Sequence, residues 1–132
     1  MNILIPCSIG ELYDKITILE IKLANITDER KLKNIKTEYD SLNSVLEYII
    51  NKYYIIFEED SKLYNDLKKV NEEIWSIEDK IRERERDNQF DHDFIDIARS
   101  VYKTNDRRAN LKYLINQKHN SSIIEEKSYE KY

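Results

Sequence analysis

One glycine, one proline and one cysteine stand in a chain of 132 residues. Each scarcity removes a class of answer. A Walker-type loop and a dinucleotide fingerprint both need several glycines where the backbone approaches phosphate, and neither is present. Few glycines and prolines also mean few helix breakers. With 36% of residues charged, the composition predicts an all-α chain. A lone Cys7 excludes an internal disulfide framework and fits a reducing compartment. Two histidines and a single cysteine leave no zinc-ligand spacing, and neither His92 nor His119 has an obvious nucleophile beside it. The apolar start NILIP is too short for a signal or membrane helix, so a cytoplasmic protein with no membrane partner is expected. Net charge is −4 with the two signs interspersed and no dominant basic block, which argues against a nucleic-acid partner. No cofactor and no metal are expected. The length fits one domain over 1–132 with a real core.

What remains is helix. Ser8-Ile9-Gly10-Glu11 has capping-box spacing, with Ser8 as N-cap and Glu11 at N3 of a first helix running to about Ile26. Its main apolar stripe is Ile9, Leu12, Ile16, Leu19 and Leu23, and Ile18 with Ile21 forms a second. A helix apolar on two sides sits between neighbours or enters a subunit contact, so Ile18 and Ile21 are the expected homodimer face. A second helix follows Thr27 or Asp28. Leu32, Ile35, Tyr39, Leu42, Leu46, Ile49, Tyr53 and Ile56 alternate spacings of three and four along it. Glu58-Glu59-Asp60-Ser61 marks the expected turn, and the same rhythm resumes in Leu63, Leu67, Val70, Ile74, Ile77 and Ile81 of a third helix. The pattern predicts an antiparallel hairpin packed at about 20°. The flank of that seam carries Tyr64, Asn71, Trp75, Glu78 and Arg82.

A fourth helix begins at Asp91, a plausible N-cap, with Phe90 and Ile95 placed as a hydrophobic staple. Capping and the helix dipole account for Asp91-His92-Asp93 better than a metal site does. Phe94, Ile97, Ala98, Val101, Tyr102, Ala109 and Ile115 share one broad face. Asn105, Arg108, Lys112 and Asn116 project within that apolar arc. Burying an amide or a cation without partners costs on the order of several kcal/mol, so these four need side chains, water or a ligand. His119–Ser122 ends the helix, and the tail 123–132 reads as a short helix docking through Ile123, Ile124, Tyr129 and Tyr132. The expected architecture is an up-down four-helix bundle with a docked C-terminal tail. The polar constellation is Glu20, Asn71, Glu78, Arg82, Asn105, Arg108 and Lys112, with Glu20 or Glu78 as a base or as the internal partner of Arg108. Arg grips phosphate or carboxylate bidentately and Lys adds a point charge, so the cluster predicts a small anionic metabolite as partner.

The segments PCSIGELYDKITILEIK, VNEEIWSIEDKIRERE, FDHDFIDIARSVYKTNDRRANLKYLIN and SSIIEEKSYEKY resemble a family of small, functionally uncharacterised bacterial and viral helical proteins. The resemblance covers nearly all of the chain except the second helix. Its motif-like residues here include Glu11, Asp14, Lys15, Glu20, Asn71, Trp75, Glu78, Asp79, Arg82, Arg99, Asn105, Asp106, Arg108, Lys112 and Asn116. The family's association with surface-glycan gene neighbourhoods implies a sugar phosphate or nucleotide sugar, bound with or without turnover. The third and fourth helices also resemble those of all-helical chorismate mutases, which hold a dicarboxylate among inward Arg and Lys, although the first helix here carries no Arg. A non-catalytic homodimeric module that docks a partner enzyme is the third reading. Whether the chain is an enzyme is left open by these residues.

Overall fold

The computed structural model describes residues 1–132 as four helices and no strands: α1 Ile9–Asn25, α2 Glu29–Tyr53, α3 Phe57–Arg86 and α4 His92–Lys118. No helix is long and apolar enough to cross a membrane. The helix starts follow local chemistry. Ser8, Asp28 and Asp91 each accept from a backbone N–H of the first turn with a side-chain oxygen. The stops are made almost without glycine. Tyr54, Asn88 and Asn120 take left-handed φ values of 53°, 52° and 50°. After each, the next N–H reaches back five residues, to the carbonyls of Ile50, Arg84 and Asn116. This is the Schellman arrangement, with asparagine at two of the three positions that usually take glycine.

α1 is the hub. It packs on each of the other three helices, and α3 packs most extensively on α4. Leu12, Tyr13, Ile16 and Leu19 of α1 are buried with Leu46 of α2, Tyr64, Leu67 and Val70 of α3 and Ile115 of α4. Each such side chain contributes about 1.5–3 kcal/mol by leaving water. Tyr13, Phe57 and Tyr64 meet edge to face, with ring centroids 5.2–5.9 Å apart.

Several expectations change. The acidic run is not the α2–α3 turn: the chain turns at 54–56, and Glu58, Glu59 and Asp60 fill the first turn of α3. Ile56, the residue before that helix, offers no side-chain cap, and the carboxylates offset the helix dipole instead. The α2–α3 hairpin is not the dominant seam. α2 lies along α1, its Tyr53 is exposed, and only Ile35 and Leu46 of its stripe are fully buried. A three–four rhythm states which face is covered, not which neighbour covers it. The second stripe of α1 is not free surface, because Ile21 is buried and Ile18 half-buried within the one chain. Phe90 stacks on Phe94 at 5.2 Å rather than on Ile95, which stays half exposed. The tail has no helix. Its Ile123, Ile124 and Tyr129 are exposed, and Tyr132 docks by meeting Tyr102 edge-on and donating to Asp106 at 2.7 Å. Tyr102 itself is exposed rather than in the core.

Two polar devices hold the helix ends. Gly10 meets α4 so closely that a Cβ there would lie 2.6 Å from the Lys112 carbonyl and 2.7 Å from Asn116 Oδ1. Asn116 Oδ1 accepts from the Gly10 N–H at 2.8 Å, so α4 caps α1 from the side. One turn along α1, near the same end of the helix, Asp60 accepts from the Tyr13 hydroxyl at 2.6 Å and contacts His119 Nε2 at 2.7 Å. Lys118 Nζ lies 2.6 Å from the other carboxylate oxygen, an ion-pair contact with off-line hydrogen-bond geometry. Burial alone would raise the Asp60 carboxyl, but Lys118, Tyr13 and His119 outweigh it and hold it below the usual carboxylate range. Burial and the Asp60 carboxylate push the Tyr13 hydroxyl far above its ordinary value, so it serves as a neutral donor.

Two outcomes follow. Gly10→Ala should lower stability by about 1–3 kcal/mol, read from denaturant midpoints, because the Lys112 backbone carbonyl, which cannot swing aside, blocks the new methyl along with the Asn116 side chain. Asp60→Asn should cost about 2–4 kcal/mol at neutral pH by weakening charge-assisted contacts. Since the folded Asp60 value lies below the unfolded one, its stabilisation is present above the unfolded value of about 3.9 and is lost as pH falls through the folded value. The variant's acid limb in thermal melts should therefore be shallower than the parent's.

Candidate functional site

Asp14 is the centre of the polar cluster, and it is 1% exposed. It lies on α1 in line with Gly10, Thr17 and Ile21, the face turned towards α3 and α4. Arg108 of α4 grips it twice: Nε donates to Oδ1 at 2.9 Å and Nη2 donates to Oδ2 at short range. Asn71 of α3 donates through Nδ2 to the same Oδ1 at 2.9 Å and to Thr17 Oγ1 at 3.0 Å. One carboxylate thus ties three helices. The hydrogen bonds to Asp14 raise the Arg108 guanidinium further above its ordinary value, against the opposing effect of burial. The guanidinium is not saturated, because Nη1 makes no hydrogen bond to protein.

One turn further along α4, Lys112 is almost fully buried between two carboxylates. Its Nζ lies 2.7 Å from Glu11 Oε2 and 2.8 Å from Glu125 Oε2. Burial opposes the charged ammonium, and its hydrogen bonds to Glu11 and Glu125 overcome that and raise the Lys112 value. Glu11 is therefore drawn to α4 instead of completing a capping box with Ser8. The other half of that box, the Ser8 bond to the Glu11 N–H, is made at 3.2 Å.

Arg108 forms part of two clefts. The first, about 390 Å³, has an apolar wall of Ile18, Ile21, Ile74 and Trp75 and a polar one of Asn71, Glu78, Asp79, Arg82 and Arg108. The second, about 250 Å³, is nearly all polar: Glu11, Asn105, Arg108, Ala109, Lys112, Glu125 and Lys127. The seven residues expected to share one cleft are thus divided. Asn71, Glu78, Arg82 and Arg108 line the first; Asn105, Arg108 and Lys112 line the second. Glu20 joins neither. It accepts from Tyr64 Oη at 2.9 Å and pairs with Lys68 at 3.0 Å.

Neither Glu20 nor Glu78 neutralises Arg108; Asp14 does. Glu78 pairs instead with Arg82, one turn along α3. The sequence holds a signal for Asp14: a carboxylate on the same stripe as Gly10, Thr17 and Ile21 interrupts an apolar face, as Arg108 does on α4. Glu125 and Lys127 carry no such signal, because the tail has no periodicity to orient them.

With Asp14 and Arg108 as mutual partners, Arg108→Met should destabilise the protein by about 3–5 kcal/mol, since it strands a buried carboxylate. Asp14→Asn should cost less, because the amide keeps one acceptor for Asn71 or Arg108 and removes the buried charge. Urea melts of both variants and the double mutant measure the coupling, expected at about 1–3 kcal/mol.

No curated protein and no solved structure matches the chain. The sequence matches a described family over residues 3–132, nearly its whole length. The chain therefore belongs to the family of unknown function DUF6165.

Proposed function

We propose that the chain binds a small anionic metabolite carrying a ring, of the sugar phosphate or nucleotide sugar class, in the cleft beside Trp75. The observation that carries this reading is the pairing of an apolar, aromatic wall with a half-buried guanidinium whose position is fixed by Asp14 while Nη1 stays unclaimed. An arginine held by a buried carboxylate loses little side-chain freedom on meeting a phosphate oxygen, which lowers the entropic cost of binding. Trp75 and the isoleucines supply area for the face of a sugar or base. Arg82 and Glu78 are exposed partners on one helix face, and such pairs contribute only about 0–1 kcal/mol. A ligand therefore separates them cheaply, with Arg82 turning to phosphate and Glu78 free to accept from hydroxyls.

The runner-up is a non-catalytic homodimer in which a second copy covers the same apolar wall. Ile18 and Trp75, half-buried in one chain, favour it to that extent. The two readings separate in one set of measurements. Trp75 is the single tryptophan, so its fluorescence reports on the cleft directly. UDP-glucose or glucose 1-phosphate should change that emission saturably. At one hundred times its Kd the ligand should stabilise the fold by about 2.7 kcal/mol. Arg82→Met should weaken binding at least tenfold, about 1.4 kcal/mol, without lowering the melting temperature of the free protein. A response to chorismate instead would move the assignment to a dicarboxylate site. No response to any of the three at millimolar concentration, with a dimer in sedimentation, would leave the interaction module standing.

A further inference from the structure

The second cleft contains an anion already, and the chain itself supplies it. Glu125 belongs to a tail without regular structure, and its carboxylate lies 2.8 Å from Lys112 Nζ and 3.5 Å from Lys127 Nζ. Lys112 is the buried member, with 9% of its surface exposed, while Glu125 is half exposed. The other carboxylate on Lys112, Glu11, is fixed in the first turn of α1. Arg108 lines the same cleft with its Nη1 unpaired, and Asn105, whose Nδ2 donates to the Val101 carbonyl at 3.0 Å, keeps its Oδ1 free of protein donors. The tail's other side-chain ties to the helices are at the surface: Tyr132 on Asp106 and on the Tyr102 ring.

We propose that Glu125 is the built-in occupant of an anion subsite at Lys112, and that an external phosphate group takes its place and lifts the tail. The proposal extends the ligand reading of the adjoining cleft and rests on it, since both use Arg108.

Three physical points support the exchange. Lys112 has spent its desolvation on a site whose second anion is replaceable, so an incoming anion meets an ammonium already stripped of most of its water. A phosphate carries up to twice the charge of a carboxylate and has an additional oxygen, enough to accept from Lys112 and from Arg108 Nη1 together. The displaced Glu125, half exposed even when paired, returns to water, and the surface contacts of Tyr132 that would be given up are weak. The carboxylate of Glu125 is held below its ordinary range, chiefly by the Lys112 hydrogen bond, so at neutral pH the competitor is a full anion.

The test uses the full chain, inorganic pyrophosphate as probe and titration calorimetry at low salt. Glu125→Gln, a change at a half-exposed tail residue, removes the competing charge and leaves the helices intact by circular dichroism. It should bind pyrophosphate at least tenfold more tightly than the parent. Adding Lys112→Met to that variant should abolish the gain. In the parent, saturating pyrophosphate should speed tryptic cleavage after Lys127 several-fold, because the tail is then released. Equal affinity of parent and Glu125→Gln, no binding by either, or binding that leaves cleavage at Lys127 unchanged would each overturn the proposal. The Trp75 response to UDP-glucose is read separately, so a failed strap and a failed ligand cleft remain distinguishable.

Discussion

A carboxylate removed from water has to be matched, and Asp14 is matched by a bidentate arginine and an amide from two other helices. Much of the arrangement depends on that requirement. The isolated cost of burying such a charge is large, and only good geometry recovers it. Arg108 must therefore project into the bundle, Asn71 must turn inward, and α3 and α4 must sit at fixed heights against α1. The close approach at Gly10 and its bond to Asn116, one turn away on the same face, also set the height of α4 against α1. Apolar burial of Tyr13, Ile16, Leu67 and Ile115 supplies most of the driving force, but it does not choose a register this specific.

The same requirement creates the clefts. An arginine that satisfies a buried acid with Nε and Nη2 has another nitrogen to offer elsewhere. Here the residue that carries it lines both clefts. Structural and ligand-binding roles of Arg108 are therefore not alternatives. The two inward cations are balanced within the chain by Asp14, Glu11 and Glu125. What stays open is the outer half of Arg108 and the aromatic wall beside it, next to the tail carboxylate for which we propose exchange.

Asp60 performs the matching role for Tyr13, the α1 residue next to Asp14, where Tyr13, His119 and Lys118 converge on it. Two buried acids on different helices thus pin the hub helix against its neighbours. Asp60 lies in the stretch expected as a turn. Read as loop residues, Glu58, Glu59 and Asp60 look like solvated acids. Placed in the first turn of α3, one of them is directed inward by helical geometry.

Helix content, the Ser8 and Asp91 starts, the start of α2 to within the pair Thr27 and Asp28, the breaks near 88 and 120 and the inward set Asn105, Arg108, Lys112 and Asn116 are all legible in the sequence. They depend on residues within a turn or two of each other, so periodicity and capping chemistry are enough. The apolar rhythm of α2 and α3 also marks their covered faces. Only the tertiary structure decides that α2 lies along α1, that Glu20 belongs to Tyr64 and Lys68, and that Arg108 belongs to Asp14, because a helical wheel fixes a direction but not the neighbour met there. The placement of Glu125 on Lys112 is further still from the sequence. An aperiodic tail carries no phase, so its contacts are set by whatever unmatched charge the folded helices leave within reach.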